Sequence, residues 1–172
     1  NDGFIWVSTD NGLNRFDGNK VFAYNHVEGD TLSLIHDLVY TSYEDDDMHL
    51  FVGTYLGMQY LDKRTNRFSS YAVYADGRDF DETVSGFCKL PDGSICSFGD
   101  NAYKVTIANG KPVASELDWD IDAHGVFRVA CDNQNNIWVL KREDGLYRIR
   151  NGKAKKICQI QTPDFYIYDF HI

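Results

Sequence analysis

The residues able to do chemistry in this chain fall in short clusters rather than in recognisable catalytic sets. Carboxylates gather at Asp79, Asp81 and Glu82, at Asp118, Asp120 and Asp122, and in the run Glu44-Asp45-Asp46-Asp47. Two carboxylates at a defined separation could hydrolyse a glycosidic bond, and clustered carboxylates suit calcium. The first two clusters occupy connecting segments and the third a turn without EF-hand spacing, so the reading favours acidic, solvated loops. Of the five His, His36 and His124 precede strand-like segments, and no Ser/His/Asp or Cys/His set can be assembled from spacing. Cys88, Cys96, Cys131 and Cys158 include no C-x-x-C pair and no zinc-type spacing. Cys88 and Cys96 flank the turn Leu90-Pro91-Asp92-Gly93-Ser94. A three-residue loop there would allow a cross-strand disulfide, but small buried thiols are the preferred reading. We therefore expect no catalytic centre, no metal site and no cofactor in this segment.

Composition narrows the classes further. The 172 residues are 43% apolar and 25% charged, a profile of globular proteins, and they include 11 Phe, 11 Tyr and 3 Trp. Aromatic residues favour strands. The net charge of −9 argues against nucleic acid, other polyanions and anionic membrane surfaces. No apolar stretch approaches the 18 or so residues of a membrane-spanning helix. The chain opens on Asn1-Asp2-Gly3 and runs at once into Phe4-Ile5-Trp6-Val7, with neither initiator Met nor signal peptide, so it reads as a piece of something longer.

The elements that carry the clusters repeat. Ile5-Trp6-Val7 recurs as Leu50-Phe51-Val52, Ile95-Cys96-Ser97 and Ile137-Trp138-Val139, at intervals of 45, 45 and 42 residues. Gly12-Leu13 matches Gly57-Met58 and Gly145-Leu146, with Asn101 expected to supply the left-handed backbone in the third repeat. Val39, Val84 and the segment 126–129 mark the preceding strand, and turn residues follow each at 45–47, 91–93 and 132–136. A strand-built period of 40–45 residues is the mark of propeller blades. One unit reads as strands over 38–44, 50–54, 58–62 and 68–73. The second strand of each unit is apolar without alternation, which requires cover on both faces and favours a β-propeller over a sandwich.

The fold class is accordingly all-β: a propeller segment of four-stranded antiparallel blades, with repeats over 1–31, 32–76, 77–118 and 119–161 and the start of a further blade at 162–172. A terminal strand near 165–170 could complete the opening blade in a ring of four; a second copy of the chain, or further blades of a larger ring, are the other ways to cover the open edges.

The stretches Asp2-Gly3-Phe4-Ile5-Trp6-Val7-Ser8-Thr9, Asn11-Gly12-Leu13-Asn14-Arg15-Phe16-Asp17-Gly18, Tyr43-Glu44-Asp45 and Leu50-Phe51-Val52-Gly53-Thr54, with Ser33-Leu34 and Val39 between them, resemble the two-component-regulator propeller repeats. The match is specific over residues 1–68; residues 83–152 keep only its skeleton. Quinoprotein repeats share Val52-Gly53-Thr54 with Leu61-Asp62. The sialidase Asp-box is half met by Ser8, Asp10 and Gly12, with Arg15 where Trp is wanted. The resemblance implies the periplasmic sensor region of a hybrid histidine kinase, with no kinase module in this segment. Its implied partners are an oligosaccharide or other periplasmic ligand and the remaining blades. The alternative is a propeller enzyme domain of quinoprotein, lyase or glycoside hydrolase type.

In propellers the second-to-third turns and the connections between blades gather on one face. That face is expected to carry Asp10, Asn11, His26, His36, Tyr55, Arg78, Phe80, Trp119, His124 and Arg142. Aromatic rings beside planar hydrogen-bonding groups suit sugar rings. A neutral or weakly charged saccharide fits the net charge better than a sulfated one, unless basic residues cluster locally.

Overall fold

The structure, a computed structural model, describes residues 3–159; the strand expected near 165–170 lies outside them. The described residues hold strands and turns but no helix, and so none long and apolar enough to cross a membrane. The first sheet is β1 (Ile5–Thr9), β2 (Gly12–Phe16) and β3 (Val21–Tyr24); the second is β4 (Val39–Glu44), β5 (His49–Thr54), β6 (Gly57–Asp62) and β7 (Arg67–Phe68). After β8 (Val73–Tyr74) come β9 (Gly86–Lys89), β10 (Ile95–Phe98), β11 (Ala102–Ala108) and β12 (Lys111–Glu116), and the last sheet is β13 (Val126–Cys131), β14 (Ile137–Lys141), β15 (Gly145–Arg150) and β16 (Lys153–Gln159). Apart from β8, each sheet is an antiparallel meander in sequence order. The strands group into two compact units, residues 3–84 with Thr106–Ala114, and Ser85–Val105 with residues 115–159.

The repeat follows from local chemistry. Gly12, Gly57 and Gly145 open β2, β6 and β15 at φ +95°, +123° and +143°, where a side chain is strained. The third repeat solves the corner differently: Asn101 is not among the residues with positive φ, and a wider turn is held by the Gly99 N–H donating to the Asn101 carbonyl (3.0 Å). The acidic turns are braced from within. The Asp45 carboxylate accepts from the N–H of Asp47 (2.9 Å) and His49 (2.8 Å), and the Asp132 carboxylate from the N–H of Gln134 (2.9 Å) and Asn136 (2.8 Å). These aspartates are Asx-turn acceptors, the reason such residues punctuate tight turns. Glu44 meanwhile pairs with Lys63 at 2.7 Å.

The fourth strand of the second sheet is shorter than the 68–73 expected from sequence. The Ser69 hydroxyl accepts from the Tyr60 N–H (3.1 Å) and donates to the Ser70 carbonyl (2.9 Å), taking the place of a backbone carbonyl and bulging the ladder after Phe68. The chain then leaves, and Val73–Tyr74 pairs in parallel with Val113–Ala114 of β12. A hairpin follows, in which the Tyr74 N–H donates to the Arg78 carbonyl (2.8 Å).

Each unit has its own core. In the first, Leu13, Leu34, Val39, Leu50, Val52, Leu61 and Phe68 are buried, with Trp6 and Tyr24 packed against them; in the second, Cys88, Cys96, Phe98, Val126, Ile137, Val139 and Ile149 are buried together. Leu50-Phe51-Val52 is covered on both faces, as unalternated strands require. Ile5 and Val7, in contrast, are 59% and 45% exposed, because they alternate with Trp6, which alone turns into the core, and the face they share is uncovered among the described residues. Cys88 and Cys96 stand directly opposite across β9 and β10, yet both are free thiols buried in the second core.

Candidate functional site

The turns at Asp10-Asn11 and Tyr55-Leu56 are tied by backbone to the connecting segments at Asp37-Leu38 and Val84, so the expected residues on them are held rather than left to drift. In the first unit the Gly12 N–H donates to the Asp37 carbonyl (2.7 Å), the Tyr55 N–H to the Leu38 carbonyl (3.1 Å) and the Val84 N–H to the Thr54 carbonyl (3.0 Å). Asp37 thereby sits between the Asp10-Asn11 turn and the Tyr55 turn. Its carboxylate accepts from the His26 N–H at 2.7 Å and from the Asn25 amide at 3.4 Å, and that amide also donates to the Asn11 carbonyl (3.1 Å). His36 accepts from the Leu38 N–H at Nδ1 (3.0 Å), and its ring lies 5.6 Å from that of Tyr55, tilted 48°. His36 and Tyr55 are thus brought together, the Asn11 turn is tied in beside them through Asn25 and Asp37, and Tyr55 is half exposed. Phe80, expected on the same rim, is a buried anchor packed 4.9 Å from the Tyr74 ring.

In the second unit His124 and Arg142 meet the same logic. The Arg142 N–H donates to the Gly125 carbonyl (2.9 Å), the guanidinium lies 5.7 Å from the centre of the Phe127 ring, and His124 Nδ1 is 3.3 Å from the Asp100 carboxylate. Beneath them the buried Lys141 ammonium bonds the Asp122 carboxylate (3.0 Å) and its carbonyl (2.8 Å), and with the His124 N–H it holds the Asp122 carboxyl below its ordinary pKa.

Two expected residues go elsewhere. Arg78 stands at the tip of the Tyr74–Arg78 hairpin, paired with Asp76 at 2.8 Å and stacked 4.8 Å over Tyr74, beside the outer edge of β12. Trp119 lines a cleft of about 610 Å³ in the second unit, whose walls are the turns at the other ends of the strands from Arg142. Those turns are Leu90-Pro91-Asp92, Gln134-Asn135 and Arg150-Asn151-Gly152. The Asp120 N–H donates to the Gly152 carbonyl (2.9 Å), and Trp119 lies 6.1 Å from Phe98. The connection from β12 to β13 descends between sheets before climbing to His124, a path that loop residues do not betray in sequence. Lys104, Arg150, Asn135 and Asn151 in this cleft were not foreseen. The Asn151-Gly152 pair signals a tight turn, but nothing local tells what the turn faces.

Comparison with solved structures decides the architecture. The extracellular domain of BT4673 of B. thetaiotaomicron, assigned to a hybrid two-component system, superposes with a TM-score of 0.70 at 20% identity, covering 90% of this chain and 23% of that one. The corresponding domain of BT3049, from the same organism and likewise assigned to a hybrid two-component system, gives 0.69 at 17% identity, with 91% and 23% covered. Virginiamycin B lyase of Staphylococcus aureus gives 0.66 at 16% identity, with 95% and 54% covered. These sheets are β-propeller blades. No family model and no curated protein matches the sequence itself. The propeller segment spans about a quarter of the extracellular domains it is similar to. In propeller terms, Asn11, His36 and Tyr55 in one unit, and His124 and Arg142 in the other, belong to the second-to-third turns and inter-blade connections, while Trp119 belongs to a cleft among the opposite turns. Among the described residues no three His, Cys, Asp or Glu side chains stand where they could hold a metal ion.

Proposed function

We propose that this chain is part of the extracytoplasmic, periplasmic sensor region of a two-component system of the hybrid histidine kinase type, and that it takes part in recognising an oligosaccharide. The observation that carries the proposal is the likeness, over nine-tenths of the chain, to extracellular domains assigned to such systems. Blade turns offer a physical route. Tyr55 presents a half-exposed ring beside the imidazole of His36, with the Asn11 turn fixed nearby through Asp37. Such a rim stacks on the apolar face of a sugar and hydrogen-bonds its hydroxyls. The blade surfaces left open have the remaining blades, or a second copy, as partners, and the segment itself has no role in phosphotransfer.

The test is saccharide-induced transcription driven by the full-length protein. Tyr55→Ala and His36→Ala should each blunt the response while leaving protein abundance unchanged, with Arg142→Ala reporting on the second unit. An unchanged response in all three variants would sink the assignment of this rim. A propeller enzyme is the second reading, favoured by the likeness to virginiamycin B lyase. Turnover of a substrate, lost on replacing a rim carboxylate such as Asp37 or Asp100, would establish it in place of the sensor.

A further inference from the structure

The cleft around Trp119 has the makings of a binding site distinct from the loop rim. Its volume of about 610 Å³ lies within the range of small-molecule pockets. Its base is apolar, with the buried side chains of Ile137 and Ile149 and the partly buried indole of Trp119. Its rim is polar and carries two cations, Lys104 and Arg150, against one carboxylate, Asp92, in a chain whose net charge is −9. Lys104 is held in place by Asp92 at 2.6 Å, so its ammonium is presented at a fixed point. The amides of Asn135 and Asn151 come from turn residues in the left-handed region, at φ +62° and +51°. All of these groups belong to the second unit.

We infer that this cleft is a subsite for a sugar residue bearing a carboxylate, a uronic acid unit of an oligosaccharide. The indole offers a stacking face for the ring. Arg150 supplies the fork that matches a carboxylate in two parallel hydrogen bonds, with the Lys104 charge alongside. The amides of Asn135 and Asn151 and the Asp92 carboxylate meet the ring hydroxyls as donors and acceptors. A single carboxylate is attracted locally by Arg150, the Lys104 charge being matched by Asp92, and the net +1 of the rim suits one carboxylate, whereas a densely sulfated chain would meet the repulsion of the whole protein. The inference rests on the saccharide-sensing reading above, and it adds the ligand class and a second location.

The experiment measures equilibrium binding of oligomers of galacturonate, glucuronate and mannuronate to the full-length protein, beside their uncharged galactose, glucose and mannose counterparts. At least one uronate oligomer should bind more tightly than its neutral counterpart. Trp119→Phe and Arg150→Ala should each weaken that binding, the latter about tenfold, with Arg150→Lys recovering part of it. Arg150 is exposed, so its loss cannot act by unfolding the core. Uronates that fail to bind, or that bind equally well to Arg150→Ala and Trp119→Phe, overturn the subsite. If in that case Tyr55→Ala still abolishes a transcriptional response to a neutral saccharide, the sensing reading stands and only the cleft fails. If uronates fail to bind and no saccharide elicits a response at all, both fail.

Discussion

Gly152 lies so close to Trp119 that a β-carbon at residue 152 would stand 3.0 Å from the indole Cδ1 and 3.4 Å from its Nε1. The same glycine adopts φ +73°. Its missing side chain therefore does two jobs: it turns the chain between β15 and β16, and it lets the indole settle against that turn. Gly152→Ala should lose roughly 1–2 kcal/mol from the left-handed backbone alone and should also displace Trp119. Urea denaturation reads the first effect, and a shift in tryptophan emission relative to Trp119→Phe reads the second. An alanine variant as stable as the parent with unchanged emission would contradict this account.

Gln59 is the polar pin of the first unit. It is fully buried; its Oε1 accepts from the Ile35 N–H (2.7 Å) while its Nε2 donates to the carbonyls of Ser33 (3.2 Å) and Ser69 (3.0 Å). Gln59→Leu leaves three buried backbone groups without partners, at a cost of about 3 kcal/mol or more. The melting temperature should fall by about 6–12 °C. A shift below the error of calorimetry would show that water or a rearranged loop replaces the amide.

Gly53 sits in β5 where a β-carbon would meet the Val84 carbonyl oxygen, Val84 Cγ1 and Thr41 Cγ2, all at 2.7 Å. Two of these contacts come from the chain that enters the next blade, so the position has no room to relax. Gly53→Ala should destabilise by roughly 1–3 kcal/mol through overpacking. Gly93→Ala, where a β-carbon meets nothing within 4 Å, is the control for steric crowding, its own cost coming only from its positive φ. Equal losses at the two positions would remove crowding as the cause.

Acid sensitivity should come from the turn aspartates. The Asp132 carboxylate accepts from the Asn136 amide (2.7 Å) and from the Trp138 indole (2.9 Å), as well as from backbone N–H groups. These bonds lower its pKa from 3.8 to about 2. Asp92, bonded to Lys104 and Ser94, is likewise held well below the ordinary value. A depressed folded-state pKa contributes stability that is fully present above the unfolded value and is lost as pH falls through the folded one. Stability should thus decline between about pH 4 and pH 2. Asp132→Ala should be less stable than the parent at pH 7, and the gap should close towards pH 2. A gap that stays constant across that range would mean that the carboxylate's charge plays no part.

The architecture was legible in the sequence because a blade is local. Its strands follow one another, its turns are made by Asp, Asn and Gly at fixed offsets, and the unalternated triplet at Leu50-Phe51-Val52 announces cover on both faces. The same locality explains why the Asp10-Asn11 and Tyr55 turns fell where the repeat placed them. Expectations failed where a single side chain redirected the backbone or where coverage depended on distant chain. The Ser69 hydroxyl ended a fourth strand early, and Ile5 and Val7 stayed exposed because nothing among the described residues covers the face of β1 opposite Trp6.

Sequence by itself determined the repeat and the turn chemistry of each blade. Tertiary structure alone decided that Arg78 turns aside onto a hairpin, that Phe80 is an anchor, and that Trp119 joins Lys104 and Arg150 in a cleft. The physical reason lies in the inter-blade connection. Strand and turn geometry is set by hydrogen bonds between residues a few positions apart, whereas the path of residues 117–125 is set by Gly152 and Phe98, which lie far from it in sequence and next to it in space.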